Sequence, residues 1–569
     1  MNYGIEWVKN HKVRTAAAIC FIILMYVNRV VANESQYIWL ITNNFVGPAV
    51  TILILSAFPT KDFRKIFYVI WTILGVLGTV GGYLFWYTHQ VGHMMYICIT
   101  VPLNIWFLGA VVIKYIEEIL IRRSFSIKFS WWEYTFIACM LLMLFSASNT
   151  VWPFYYLVIF LLLWHAPFSD DEKKDVLCGI FDGIIVGFLI LQCIAFLNTP
   201  YQRPRYRGAY WNCNRNACLY LVAMASLLGK IYMYRLKNKD NRSRAVACYQ
   251  FVMGCLVSML VAMIIYSGSR TGIIGAVLIV TLYFFFCEFK LLKEKIRVIV
   301  VKLMIYSVVT LVSIPLLYFP IRYFPELKPY VKTVVKNLIR GTDEPFIPVS
   351  GLAFDEAIKY NLLRYFEKND PADSGGNEVI SDSVTDSDEI SGIEGIDSTG
   401  KYYTLNYSYI YYPEKGSFIM RVPRGIYTGM NAIDARINIY AALINQMNLT
   451  GHRDDEVMLE IRSDVPGTYE AYSYNEQNFM IHFLYVYGVP IGIFICVLMF
   501  MDLFFLIKKC ISGKLYATIF LMIVSVYFIF GITEIVWVPG QLEQLMLFFV
   551  PLFFISDDNK ITEVLAERN

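Results

Sequence analysis

Apolar runs of about 20 residues, each long enough to cross roughly 30 Å of hydrocarbon as a helix, recur along the chain between short polar segments. They predict helices near 13–33, 37–58, 66–87, 93–114, 131–149, 151–166, 175–198 and 216–235. Further spans fall near 248–266, 270–288, 298–319, 479–507, 515–533 and 540–556. The spans number about fourteen, with the division at 131–166 the least sharp because "SASNTVW" makes a tight turn. One long polar interval interrupts the series. The pattern therefore predicts an all-α polytopic membrane protein in three parts: helices 1–11 in residues 1–319, a large loop in 320–475, and helices 12–14 with a tail in 476–569.

Composition agrees. Of 569 residues, 57% are hydrophobic and only 17% charged, with a mean hydropathy of +0.51; a soluble chain carries about 25% charge. A net charge of +4 is too small to suggest a nucleic-acid partner. The first apolar run lacks a small-residue cleavage site and reads as a retained helix. The 12 cysteines lie mostly within helices and form no CxxC pair, so neither a disulfide framework nor zinc spacing is expected. His89 and His93 have no third ligand nearby, and no nucleotide-binding glycine pattern or catalytic serine elbow is present. No metal or cofactor is expected.

Charge patterning sets orientation. One alternating set of loops, including "TKDFRK", "IRRSFSIK" and "YRLKNKDNRSR", is basic nearly throughout, which places it and both termini in the cytoplasm. The other set faces outward, and one of its members breaks the rule. "YQRPRYRGAYWNCNRNACLY", residues 201–220, carries Arg203, Arg205, Arg207 and Arg215 among Tyr and Trp side chains. The plain reading is a solvated loop touching headgroups or carboxylates. The sharper one is an anion site at the outer surface. Arg forks bind phosphate bidentately at any pH, and the following helix can offer N-terminal N–H groups. Asn212, Asn214 and Asn216 would add donors and capping oxygens. A second outward segment, "YSGSRTG" at 266–272, places Ser269 and Arg270 at the membrane boundary, where an Arg is costly unless paired or facing a polar cavity; a tight turn with a snorkelling Arg is the plain alternative.

These residues carry a family resemblance. Gly208 with Asn212 and Asn214 resembles the "R-x-G…N-P-N" stretch of the O-antigen ligase and O-antigen (capsular, exopolysaccharide) polymerase superfamily of bacterial membrane proteins, with Cys213 where Pro is usual. "SGSRTG" is similar to that family's short loop between later helices. "DARINIYAALINQMNLTG" resembles its "R-x-x-x-W…P-x-x-G" segment through Arg436, Tyr440 and Gly451, and "QNFMIHFLYVYGVPIGIF" its "HN…L…GxxG" opening. The landmarks span 203–493; the first five or six helices match only in being hydrophobic. The resemblance implies a GT-C-like fold and a metal-independent glycosyltransferase of the bacterial cytoplasmic membrane, active on its extracytoplasmic face. The donor would be an undecaprenyl-pyrophosphate-linked oligosaccharide and the acceptor a carbohydrate hydroxyl. Membrane lipid and the pathway's chain-length regulator and flippase are the other expected partners. Such a leaving group needs fixed positive charge at the boundary, expected from Arg203, Arg205, Arg207, Arg270 and Arg436, supported by Gly208, Asn212, Asn214 and Ser269.

One departure bears on chemistry. Where the family's ligases carry His–Asn, this chain has Gln477–Asn478. The ligase His is the proposed general base, and Gln takes no proton. Glu476, adjacent in sequence, is the nearest replacement; His452 is another outside possibility, and His482 reads as a packed polar residue. Glu476, Gln477 and Asn478 are thus the catalytic candidates, and Gln477 tilts the expectation toward polymerase over ligase. A lipid-linked oligosaccharide flippase is the third reading, weakened by the lack of two related halves. Within the long loop, 366–400 is acidic and poor in aromatics, predicting a flexible insert. The Tyr alternation over 407–411 predicts a short strand, its rings suited to sugar stacking or to the membrane surface.

Overall fold

The structure is a computed structural model. It describes residues 11–33, 38–58, 65–89, 95–122, 129–147, 152–201, 205–210, 213–238, 244–340, 345, 351–361, 392–396, 402–406, 408–412, 417–421, 440, 443–452, 456–462, 468–474, 478–513, 515–533 and 542–554. The apolar runs form helices. The first seven are α1 Lys12–Asn33, α2 Ile38–Ser56, α3 Lys65–His89, α4 Met95–Arg122, α5 Trp131–Leu144, α6 Trp152–Trp164 and α7 Asp170–Asn198. Then come α8 Cys213–Lys237, α9 Arg244–Ser267, α10 Arg270–Leu282, α11 Ile296–Arg340 and α12 Phe354–Asn361. The last four are α13 Phe479–Val486, α14 Val489–Ile511, α15 Leu515–Thr533 and α16 Leu542–Phe549. Helix α10 continues as a π-helical segment, Tyr283–Leu291. Among the described residues seven helices are long and apolar enough to cross a membrane, and the chain is a membrane-embedded helical protein.

Helix α8 sits at the centre: 83% of its most apolar window is buried, against 22% for α14 and 11% for α11. It packs on α7, α9, α10 and α15. Helices α1 and α7 approach closely because Gly179, Gly183 and Gly187 form a stripe at four-residue spacing. A Cβ on Gly179 would lie 2.3 Å from the Arg14 carbonyl oxygen, and one on Gly183 2.5 Å from that of Ala18. Small residues permit this backbone contact, the usual basis of helix association in lipid.

Several boundaries differ from the sequence pattern, and three of the differences change the architecture. The span expected at 479–507 is two helices, α13 and α14, broken at Gly488, whose φ is 89°. The span expected to end at 319 runs on to Arg340, and the helical period continues through Pro315, Pro320, Pro325 and Pro329. Finally, part of the insert expected to be flexible is strand β1, Gly392–Ile396, paired antiparallel with β2, Tyr402–Asn406, two segments close enough in sequence for that pairing. The expected strand at 407–411 is β3, Ser408–Tyr412, in a sheet with β4 Ser417–Arg421, β5 Glu456–Arg462 and β6 Thr468–Tyr474, ordered β3-β4-β6-β5. The membrane part is α-helical, and all the described strands fall in the long polar interval.

Candidate functional site

The loop between α7 and α8 is held by buried polar contacts. Thr199, at the C-terminus of α7, donates its hydroxyl to the Gly208 carbonyl at 3.1 Å. Gly208 opens a 3-10 turn with φ +54°, and a Cβ there would lie 2.6 Å from Asn216 Oδ1 and 2.9 Å from the Tyr220 hydroxyl. Glycine is required on both counts. Fully buried Asn216, in the first turns of α8, donates to the Arg207 carbonyl and accepts from Tyr210 N at 3.2 Å. One amide thereby ties the loop at Arg207 and Tyr210 to the central helix.

The "SGSRTG" segment docks on the same loop. Tyr206 N donates to the Tyr266 carbonyl at 2.9 Å. Arg205 Nε donates to the Ser267 carbonyl at 3.1 Å, and its Nη2 to Asn214 Oδ1 at 2.7 Å. Gly268, with φ +58°, leaves room for this guanidinium: a Cβ there would meet Arg205 Cγ at 3.0 Å and Asn361 Oδ1 at 2.7 Å. Buried Ser269 caps α10, accepting from Gly272 N at 3.1 Å, which sets Arg270, itself exposed, in that helix's first turn.

Helix α12 closes the cluster. Asn361 Nδ2 donates to the Tyr201 hydroxyl at 2.9 Å, and Leu352 N to the Tyr201 carbonyl at 2.8 Å. Tyr201 also stands edge-on to Tyr206 and Tyr266, with centroids 5.9 and 5.8 Å away. Burial pushes the phenols of Tyr201 and Tyr206 well above the usual tyrosine range, so both are neutral. Sequence reasoning missed Tyr201, Asn216 as the hub, and Asn361. The glycine and asparagine spacing picked out Asn212 and Asn214, with Asn216 only a further donor or capping oxygen, and nothing local marked Asn361, 160 positions from its tyrosine partner.

The two later landmarks also dock on each other. Val489 N donates to the Asn448 carbonyl at 2.9 Å, and His452 N to the Val486 carbonyl at 3.1 Å. Gly451 and Gly488 face one another here with φ of 83° and 89°; a Cβ on either would lie 2.1 Å from Val486 O or 2.4 Å from Leu449 O, respectively. The His452 ring stacks on Tyr485 at 3.9 Å, its Nδ1 3.0 Å from the Tyr485 carbonyl. Asn478 caps α13, accepting from Met480 N at 2.9 Å and Ile481 N at 3.2 Å. Its Nδ2 reaches the Ile532 carbonyl, at the end of α15, at 3.4 Å. His482 is buried, as a packed polar residue should be.

Both docked pairs lie on one side of the bundle. From Arg270, α10 and its π extension run to Lys290, which donates to the Ile511 carbonyl just before α15 begins. Helix α15 then returns to Ile532 and Asn478. The structure thus brings together Arg205, Arg207, Gly208, Asn214, Ser269 and Arg270, with Asn478 on the same side. Arg203, Asn212, Arg436, Glu476 and Gln477 lie outside the described residues.

Electrostatically the cluster differs from the rest of the bundle. Arg14 pairs with Asp182 at 2.6 Å, Arg235 pairs with Glu288 and with Glu294, and Arg322 pairs with Glu326. Among the described residues, no carboxylate pairs with Arg205 or Arg207, and Arg207's guanidinium makes no hydrogen bond. Arg205 is engaged by neutral oxygens only. Neither a protein-family description, nor a curated protein, nor a solved structure matches the chain.

Proposed function

We propose that this protein is a GT-C-like membrane glycosyltransferase that polymerises oligosaccharide repeat units, carried on undecaprenyl pyrophosphate, into a surface polysaccharide such as capsule or exopolysaccharide. The reaction takes place at the outer face of the bacterial cytoplasmic membrane, with both termini inside, and consumes no metal or nucleotide sugar. The supporting observation is the partly buried arginine pair Arg205 and Arg207, the first forked between neutral oxygens, the second anchored through its backbone carbonyl, and both unmatched by any described carboxylate. Fixed cationic donors of that kind suit a pyrophosphate leaving group, whose charge grows as the glycosidic bond breaks.

Within this reading the arginines divide. Arg205 is a positioning residue, since both its bonds hold the 266–269 turn and Asn214. Arg207 and Arg270 contact the pyrophosphate, joined by Arg203 and Arg436 from the neighbouring segments. Asn478 orients the start of α13, and Glu476 is the base for the acceptor hydroxyl. Gln477, at the position where similar ligases carry His, favours repeat-unit polymerisation over transfer of a finished glycan. The deciding experiment is the glycan profile of a strain in which Arg207→Ala or Arg270→Ala replaces the native protein. Single repeat units should accumulate while the protein stays inserted. Wild-type chain length in both strains sinks the pyrophosphate site, and free long polymer on its lipid carrier assigns a ligase instead. Unaltered turnover in Glu476→Gln rejects Glu476 as the base.

A further inference from the structure

Helix α11 is longer than any bilayer requires. Its 45 residues reach about 67 Å at 1.5 Å per residue. Contacts with its neighbours show where it leaves the bundle. Near one end Lys302 pairs with Glu288 at 2.8 Å. Toward the other, the Tyr266 hydroxyl, at the end of α9, donates to the Ile314 carbonyl at 2.6 Å, and the Tyr318 hydroxyl to Leu352 O at 2.8 Å. Ile296–Tyr318 spans about 33 Å, which matches the hydrocarbon thickness. The remaining part, 319–340, is roughly 33 Å long on the side that carries the Arg205 cluster. Ile321 is still fully buried and Lys328 Nζ donates to Asn198 Oδ1, at the end of α7, at 3.1 Å; beyond Lys328 the helix runs on past the bundle.

That projection does not turn polar all round. The exposed stripe that faces lipid along the membrane part passes through Leu316 and Phe319 and continues unbroken through Tyr323, Leu327, Tyr330 and Val334, all 45% to 66% exposed. Their spacing keeps them on one face. Residues 321–340 also carry five basic side chains (Arg322, Lys328, Lys332, Lys336 and Arg340) against the single acid Glu326. Pro320, Pro325 and Pro329 flank the last contacts with the bundle, at Ile321 and Lys328; each lacks an N–H and permits a kink. An apolar face bearing tyrosines, continuous with a lipid-facing stripe and backed by lysines, has the composition of a helix at a membrane surface.

We propose that residues 321–340 form an interfacial helix that lies on an anionic lipid surface beside the Arg205 cluster, with Tyr323, Leu327, Tyr330 and Val334 at the acyl boundary. Lys332 and its basic neighbours supply attraction to the headgroup phosphates. This holds independently of the reaction assigned to the arginines.

The test places the photo-crosslinker benzoylphenylalanine at Val334 in the full-length protein, reconstituted in nanodiscs of either phosphatidylglycerol or phosphatidylcholine. The same probe at Val308, 59% exposed within the membrane part, is the control for lipid labelling in both. The expected result is a phospholipid-mass adduct at position 334, stronger in phosphatidylglycerol and reduced roughly fivefold by Lys332→Glu, with labelling at 308 unchanged. Crosslinking at 334 to a second copy or another polypeptide overturns the proposal. So does the lack of a lipid adduct at 334 while 308 labels normally, or an equal yield in the two lipids.

Discussion

At the residue scale, the structure separates two arginines that look alike in "RPRYRG". Arg205 is forked between Ser267 O and Asn214 Oδ1, whereas Arg207 contributes its backbone carbonyl to Asn216 and, among the described residues, leaves its guanidinium without a hydrogen bond. Replacing Arg205 by Lys keeps the charge but loses the planar fork. It should lower stability by about 1–2 kcal/mol, seen as an earlier thermal transition in detergent; an unchanged transition removes Arg205's positioning role. Arg207→Ala should leave that transition within about 0.5 kcal/mol of wild type. Asn216→Leu is the harsher change, since it leaves Tyr210 N and the Arg207 carbonyl without their buried partner, at roughly 1–3 kcal/mol for each group. Gly208, Asn214, Ser269 and Arg270 were legible in the sequence because their chemistry is local: a positive φ, a cap, a first-turn position. Tyr201 and Asn361 were not, because their contact is made only when α12 folds back onto the loop.

At the element scale, most helices were legible because hydrophobic runs of membrane length leave few alternatives. What was not legible is where a helix breaks or fails to break. Gly488 ends α13 because Leu449 O packs against its Cα face, a contact made by a segment some forty residues earlier. Conversely, α11 runs through its prolines. The Gly179–Gly183–Gly187 stripe had a readable sequence signal, a repeated G-x-x-x-G, but only the structure shows that α1 is its partner. Gly183→Val would drive its side chain into Ala18 O and Phe21 Cβ, which lie 2.5 and 2.8 Å from the ideal Cβ. The expected loss is about 1–3 kcal/mol, measured as earlier unfolding. Gly81, whose Cβ would meet nothing within 4 Å, should accept Ala without loss and serves as the control. Equal effects at 81 and 183 would falsify the close α1–α7 packing.

At the scale of the whole molecule, α8 is fastened at both ends. On one side Asn216 and Asn214 bind it to the arginine loop; on the other Arg235 pairs with Glu288 and Glu294. Glu288, on the π-helical end of α10, is 1% exposed and also receives Lys302 of α11 at 2.8 Å and the Tyr283 hydroxyl at 2.9 Å. Three elements of the central bundle, α8, α10 and α11, thus converge on one carboxylate, and the same three carry Asn214 and Asn216, Arg270, and the projecting helix on the opposite side. Glu288→Gln keeps the shape and removes the charge, leaving Lys302 beside a neutral amide and Arg235 with Glu294 alone. Breaking a buried ion network from one side costs about 3–5 kcal/mol, large enough to move a thermal transition by several degrees. Adding Arg235→Met and Lys302→Met to Glu288→Gln should recover most of the loss, because stranded charge, rather than the missing bond, dominates the cost. If the network only fastens the helices, the triple variant regains polysaccharide chain length together with its thermal transition. A triple variant that regains stability but still makes short chains would instead tie the network to the reaction on the far side.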